Sequence, residues 1–352
     1  MQILKKVGQQ LKKEYPFVIY RKSNRSDLSA FFGKNKNLKF TKDYSESGFV
    51  FAPFDECENS ILFSIDEFEY LSEQIVGLRS FDTAEFQNVE KAEGKRQYLK
   101  LVDKAIAEIH KNTFQKVVVS RKETFVSKEF DAVTVFKRLL SSYQNALVYL
   151  WFHPKVGLWM GASPETLFKK SGPKITTVAL AGTKPSGTDS RDWDSKEIEE
   201  QQLVVDFIED ALSNKVDHLM IQDRQTIQAG SLSHLKSIIT ADLKEEVSLR
   251  NVVEELHPTP AVCGLPKINS KTFILQNEAY NRSFYTGFLG ELNFDPISKN
   301  MDETHLFVNL RCLEYSGEMV NIYVGGGITK DSNPEKEWLE TVNKTRTMKS
   351  VL

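Results

Sequence analysis

The chain has 352 residues, 40% of them hydrophobic and 27% charged, with 46 Lys plus Arg against 48 Asp plus Glu for a net charge of −2. That length and mixture suit one large globular domain or two ordinary ones, and so even a balance gives no summed field to attract a polyanion, which excludes nucleic acid as the main partner. The longest apolar run, residues 146–152, is far short of the roughly 20 residues of a membrane helix, so no membrane span is expected.

The start, MQILKKVGQQLKKEY, is lysine-rich and amphipathic, without the apolar centre of a secretory signal. After this helix the first 90 residues read as short strands and turns, broken at 24–27, 33–37 and 55–59. Residues 89–112 carry Leu99, Val102, Ile106 and Ile109 at helical spacing. Strands are then predicted at 116–125, 146–152, 157–160, 175–180, 218–221, 235–243, 283–292, 304–315 and 318–324, and helices at 194–213, 249–256, 270–279 and 334–351. Ser316-Gly317 between two β-rich runs signals a hairpin, hence antiparallel strands. The expected fold class is α+β, with large antiparallel sheets and outer helices rather than a doubly wound nucleotide fold. No Pro/Gly/Ser-rich linker separates the halves, which predicts intimate packing. Cys57, Cys263 and Cys312 are too scattered for a disulfide framework or zinc knuckle, consistent with a cytoplasmic enzyme.

Two predicted helices repeat one carboxylate spacing. Glu197 and Glu200 share a face that continues through Val204, Phe207 and Ala211; Glu337 and Glu340 share one that continues through Lys344 to Met348. A charged pair heading an apolar stripe points inward, and four converging carboxylates require a cation among them; hard oxygen ligands suit Mg2+. Glu-x-x-Glu is equally the string of a solvated helix surface. Gly325-Gly326-Gly327 follows a strand and either presents backbone to an anion or makes a tight turn. Arg311 is placed mid-strand, facing either an anionic substrate or a structural ion pair. Lys116 opens a β-branched strand, Glu165 follows a Ser-Pro turn, and His257 precedes Pro258-Thr259-Pro260; singly, each also fits an ordinary structural role.

Together these strings resemble the chorismate-utilising enzymes: KVVVSR at 116–121, GASPETL at 161–167, ALAGTKP at 179–185, KEIEEQQLVVD at 196–206, LHPTPAVCGLP at 256–266, FYTGFLG at 284–290, LFVNLRC at 306–312 and VGGGITKDSNPEKEWLETVNK at 324–344. The resemblance implies a single domain of two intertwined halves with the site in a cleft, residues 1–90 being its divergent part and 91–352 the catalytic region. It implies Mg2+ held by Glu200 and Glu340, with Glu197 and Glu337 acting directly or through water. Tyr285, Arg311, Lys344 and the backbone of Gly325, Gly326 and Gly327 would meet the substrate carboxylates, and Ala181, Gly182, Thr183 and His257 would line the ring pocket. The family often has histidine where this chain has Gln201. Ala181 replaces the nucleophilic lysine that aminodeoxychorismate synthases carry, and Lys116 matches the lysine of the members that add water. The expected activity is therefore conversion of chorismate to isochorismate, with Lys116 as base and Glu165 as acid, for menaquinone or siderophore synthesis. Salicylate synthase is the alternative. A monomer needing no amidotransferase partner is expected.

Overall fold

The structure is a computed structural model describing residues 2–75, 92–185, 187, 193–229 and 232–352. In chain order the described elements begin with α1 (Gln2–Lys13), β1 (Phe17–Arg21), β2 (Asp27–Gly33), β3 (Gly48–Ala52), β4 (Ile61–Ser64), β5 (Phe68–Gln74), α2 (Ala92–His110) and β6 (Lys116–Val126). They continue with α3 (Ala132–Ser142), β7 (Leu147–His153), β8 (Gly157–Ser163), β9 (Thr166–Ser171), β10 (Lys174–Pro185), α4 (Ser195–Leu212), β11 (Val216–Ile221), β12 (Gln225–Ala229) and β13 (Leu232–Leu243). The last are α5 (Leu249–Leu256), β14 (Gly264–Leu265), α6 (Lys267–Asn277), β15 (Phe288–Leu292), β16 (Glu303–Val308), β17 (Cys312–Ser316), β18 (Met319–Ile328) and α7 (Pro334–Lys349).

The strands form two antiparallel sheets. One runs β14-β6-β18-β17-β8-β7-β1-β2-β5; the other runs β11-β13-β10-β9-β16-β15-β3-β4, with β12 also on β13. Side-chain alternation explains why the strands are apolar on both faces. On β1, Phe17 and Ile19 join the core under α1 and α3, while Val18 and Tyr20 face the second sheet. Likewise Val148 and Leu150 of β7 point to the helices, and Tyr149 and Trp151 to the aromatic core between the sheets, with Phe51 and Phe63 from the other side. Helices α4 and α5 cover the outer face of the second sheet, and α2, α6 and α7 pack at the β6–β18 end of the first. This is the expected α+β architecture.

The chain changes sheet repeatedly, and three of the changes position the site. Residues 164–165 lead from β8 in the first sheet to β9 in the second, residues 309–311 lead back from β16 to β17, and the segment entering β15 ends a passage that began in β14. A chain leaving one sheet for another must bend, and positive φ marks two of these bends: 48° at Arg311, and 50° at Ser283 with 60° at Thr286. Two single strands of the sequence reading are thereby corrected. The stretch 304–315 is two strands in different sheets with Arg311 at the corner, not mid-strand, and 283–292 is extended sheet only from Phe288. Hydrophobic alternation runs across both corners because each side of the bend is buried, so periodicity alone does not reveal them.

The glycine triplet is neither a turn nor a loop; it continues β18, paired to Val118, Val119 and Ser120 of β6. Pairing with β17 stops at Ile322, so residues 323–328 have no strand neighbour on that edge among the described residues. Helix α3 and strands β9, β12 and β14 are additions to the elements expected from sequence. The predicted helix start at 89–91, and the 90/91 boundary, lie outside the described residues.

Candidate active site

Strand β6 begins with Lys116 beside Gly327, whose missing side chain leaves room for it: a methyl there would stand 3.0 Å from Lys116 Cε. The ammonium crosses to α4 and donates to Glu200 Oε1 at 3.2 Å. Helix α4 comes close because Gly182, at φ +71° on β10, has no Cβ; one would lie 3.2 Å from the Glu197 backbone oxygen. Glu197 Oε2 is buried with no hydrogen bond among the described residues, Lys184 Nζ being 3.9 Å away. Gln201, the departure from the family pattern, is fully buried and satisfied, donating to Ser237 Oγ and accepting from Arg224 Nε.

Helix α7 is started by Asn333, whose side chain caps Lys336 N–H, with Pro334 in the first turn. That fixes Glu337 against β18, where Oε1 accepts from Ser332 Oγ at 2.7 Å and Oε2 lies over Gly326. One turn on, Lys344 Nζ donates to Glu340 at 2.5 Å and to the Gly325 carbonyl at 3.0 Å. Both glutamate pairs thus face the cleft, each with a lysine ion pair. Among the described residues no three Asp, Glu, His or Cys side chains converge as a ready ligand set.

Glu165 sits at the β8–β9 crossing, its carbonyl accepting from Val308 N–H at 3.0 Å. It keeps intermediate exposure toward the cleft, yet enclosing protein desolvates its carboxyl and raises it to about 7, against the opposing pull of Lys116 and Arg311. A narrow cavity with room for about one water, roughly 20 Å³, lies behind it, lined by Thr177, Val204, Ile208, Thr259 and Pro260 among others. Arg311, at the opposite crossing, has no carboxylate within ion-pair distance among the described residues, so the structural ion pair considered from sequence is absent; burial lowers its pKa, and Tyr285, Glu340 and Glu165 counter this. Tyr285 is buried and stacked on Tyr323, ring centroids 5.5 Å apart. Burial also lowers Lys344, with Arg311 adding to it and Glu340 opposing.

Hydrogen bonds and charge proximity link Lys116 to Glu200 and Glu165, Arg311 to Tyr285, Glu165 and Glu340, and Lys344 to Glu340 and Gly325, with Glu337 over Gly326 and Glu197 against Gly182 of β10. His257 Nε2–H donates to the Thr286 carbonyl at 3.0 Å, its ring packs edge-on against Phe288, and burial lowers it to about 4. It props the turn carrying Tyr285. Two residues were missed from sequence. His234 on β13 donates from Nδ1 to the Gly182 carbonyl at 3.2 Å, and burial lowers its pKa, with Arg311 and Lys344 contributing. Tyr98 on α2 is buried beside Glu337 and Glu340; extending the α2 stripe one turn back from Val102 would have found it.

Two antiparallel sheets thus gather a lysine, a protonatable glutamate, an arginine and acidic side chains where the chain passes between them. The model of the chorismate binding enzymes matches residues 49–352, and the chain belongs to that family. The match begins within the first 90 residues, ahead of the motifs read from sequence. Isochorismate synthase MenF of Escherichia coli is 28% identical over 269 residues, covering 74% of this chain and 60% of its own length. The vibriobactin-specific isochorismate synthase of Vibrio cholerae is 26% identical, covering 84% of this chain and 80% of itself. In fold, DhbC of Bacillus anthracis superposes with TM-score 0.79 at 21% identity over 99% of both chains. The E. coli MenF structure superposes at 0.78 and 21% identity, covering 96% of this chain and 89% of its own. No helix among the described residues is long and apolar enough to cross a membrane.

Proposed function

We propose that this chain is an isochorismate synthase, converting chorismate to isochorismate by adding water at ring carbon 2 and expelling the hydroxyl at carbon 4. The observation that carries the reading is Lys116 close enough to lower the charge cost on Glu165 at the β8–β9 crossing, whose carboxyl burial raises to about 7, with Ala181 in place of a nucleophilic lysine. Lys116 is the base that takes a proton from the attacking water while the new C–O bond forms at carbon 2. The ring double bonds shift, the bond at carbon 4 breaks, and Glu165 gives its proton to the departing hydroxyl, which leaves as water. Atoms balance as an isomerisation. A carboxyl near 7 is partly protonated at neutral pH, as a general acid requires.

Arg311, without a carboxylate partner among the described residues, and Lys344 are the cations for the substrate carboxylates; Tyr285 and the open edge of β18 complete their seat. Mg2+ fits the acidic cluster: every candidate ligand is a hard carboxylate oxygen, and the buried Glu197 Oε2 lacks any hydrogen bond among the described residues. Glu200 and Glu340 would hold it, assisted by Glu197 and Glu337. When bound it supplies Lewis acidity and neutralises the glutamates. The geometry gives Glu200 and Glu340 lysine partners whose charge that ion would replace. Because the nucleophile is water, no ammonia-delivering partner is needed, and we place the enzyme as a cytoplasmic monomer.

The test is product analysis. The protein is incubated with chorismate and MgCl2, with and without excess chelator, and the mixture is separated by liquid chromatography. Isochorismate approaching equilibrium with chorismate, abolished by chelator, is expected. Salicylate with equimolar pyruvate would replace this reading with salicylate synthase, and aminated product or none would overturn it.

A further inference from the structure

Five buried side-chain polar atoms among the described residues have no hydrogen-bond partner, and two of them, Glu197 Oε2 and Tyr98 Oη, belong to the same cleft. Glu197 is already assigned; Tyr98 is not. Its ring is 2% exposed and packs on Trp338 with centroids 5.9 Å apart, which fixes the direction of the hydroxyl. A methyl placed on Gly326 would be 3.3 Å from Tyr98 Oη and 3.4 Å from Glu337 Oε2, so phenol and carboxylate look onto the same small space over the glycine strand. Phenylalanine would pack equally well there without an unsatisfied donor, so the hydroxyl weakens the fold where it stands.

The neighbours decide what could satisfy it. Glu337 and Glu340 flank the hydroxyl, so a bare anion is disfavoured, and an apolar ring offers no hydrogen bond. Water polarised by a dication fits: its protons are strong donors to the phenol oxygen, and the phenol proton then has a carboxylate to face. We propose that Tyr98 is a positioning residue for the divalent cation, accepting a hydrogen bond from a water ligand of the ion and donating to a carboxylate of the Glu337–Glu340 pair. The inference rests on the metal reading above and adds to it a group from α2, an element that carries none of the acidic residues assigned to the ion.

The experiment uses Mn2+ as probe, titrated into the full chain and followed by the electron paramagnetic resonance signal of the free ion, with and without a chorismate–isochorismate mixture. Tyr98→Phe is expected to weaken Mn2+ binding by about tenfold, the lower end of what outer-shell partners contribute. The same variant, measured metal-free, is expected to melt at the same temperature or higher, since it removes the orphan hydroxyl. A purely structural role would lower the melting temperature and leave Mn2+ affinity alone. Gly326→Ala, whose methyl intrudes on the shared space, is expected to weaken Mn2+ binding too. Unchanged Mn2+ affinity in Tyr98→Phe, with wild-type binding and turnover intact, overturns the role of Tyr98 only. No saturable Mn2+ binding by wild type in either condition overturns the metal reading and this inference together.

Discussion

Replacing Glu165 by glutamine should make the protein more stable above neutral pH while removing its activity. The carboxyl lies at about 7 in the folded chain against an ordinary 4.5. At about 1.4 kcal/mol per tenfold change in proton affinity, that difference corresponds to at most about 3.5 kcal/mol. The sign follows from proton uptake. Between pH 4.5 and 7 the folded state binds the proton and the unfolded state releases it, so the stability contributed by neutral Glu165 is complete below about 4.5 and is lost as pH rises through about 7. Above that, the folded protein buries a charged carboxylate in a desolvated site. Glu165→Gln keeps the shape and removes the charge, so its advantage over wild type should be near zero at pH 4.5 and approach about 3.5 kcal/mol at pH 8. Urea denaturation of both proteins across that range measures this directly. Chorismate turnover at pH 7.5 should meanwhile fall by about 10²–10⁴, the usual contribution of a general acid. An advantage independent of pH, or a loss of stability at pH 8, would show that Glu165 is not held protonated by burial and would remove the physical basis for its role as acid.

Lys116→Ala should reduce kcat by about 10²–10⁴ with chorismate binding nearly intact, read by steady-state kinetics and equilibrium binding; near wild-type turnover would return Lys116 to an ordinary strand lysine. Arg311→Ala should raise KM at least about tenfold with a smaller change in kcat, because a carboxylate anchor acts in ground and transition states alike; a pure kcat loss would contradict that. Gly327→Ala should push the Lys116 side chain off its path, since the methyl stands 3.0 Å from Cε, lowering kcat while Mn2+ affinity stays within about twofold of wild type. A variant as active as wild type would show that the lysine does not need that space.

Helices α4 and α7 were legible in the sequence because a local rule governs them: 3.6 residues per turn forces Glu197 with Glu200, and Glu337 with Glu340, onto common faces. Alternation likewise gave most strands of both sheets, and the Ser-Gly signal gave the antiparallel hairpin between β17 and β18, although its loop is residues 317–318. The family strings supplied the list of side chains. What local rules do not contain is where a chain leaves one sheet for another. Phe307 and Leu313 are buried on either side of Arg311, so the pattern reads as one strand until the two sheets are assembled and the corner appears. The same assembly, not the residue type, raises Glu165 to about 7, leaves Arg311 without a carboxylate partner among the described residues, seats His257 under the Tyr285 turn and points Tyr98 Oη at an empty bonding position. Sequence determined which chemical groups the protein owns and which share a helix face, because those depend on neighbours a few residues away. Desolvation, charge pairing and orphaned donors depend on groups tens to hundreds of residues distant, so only the tertiary structure decided them.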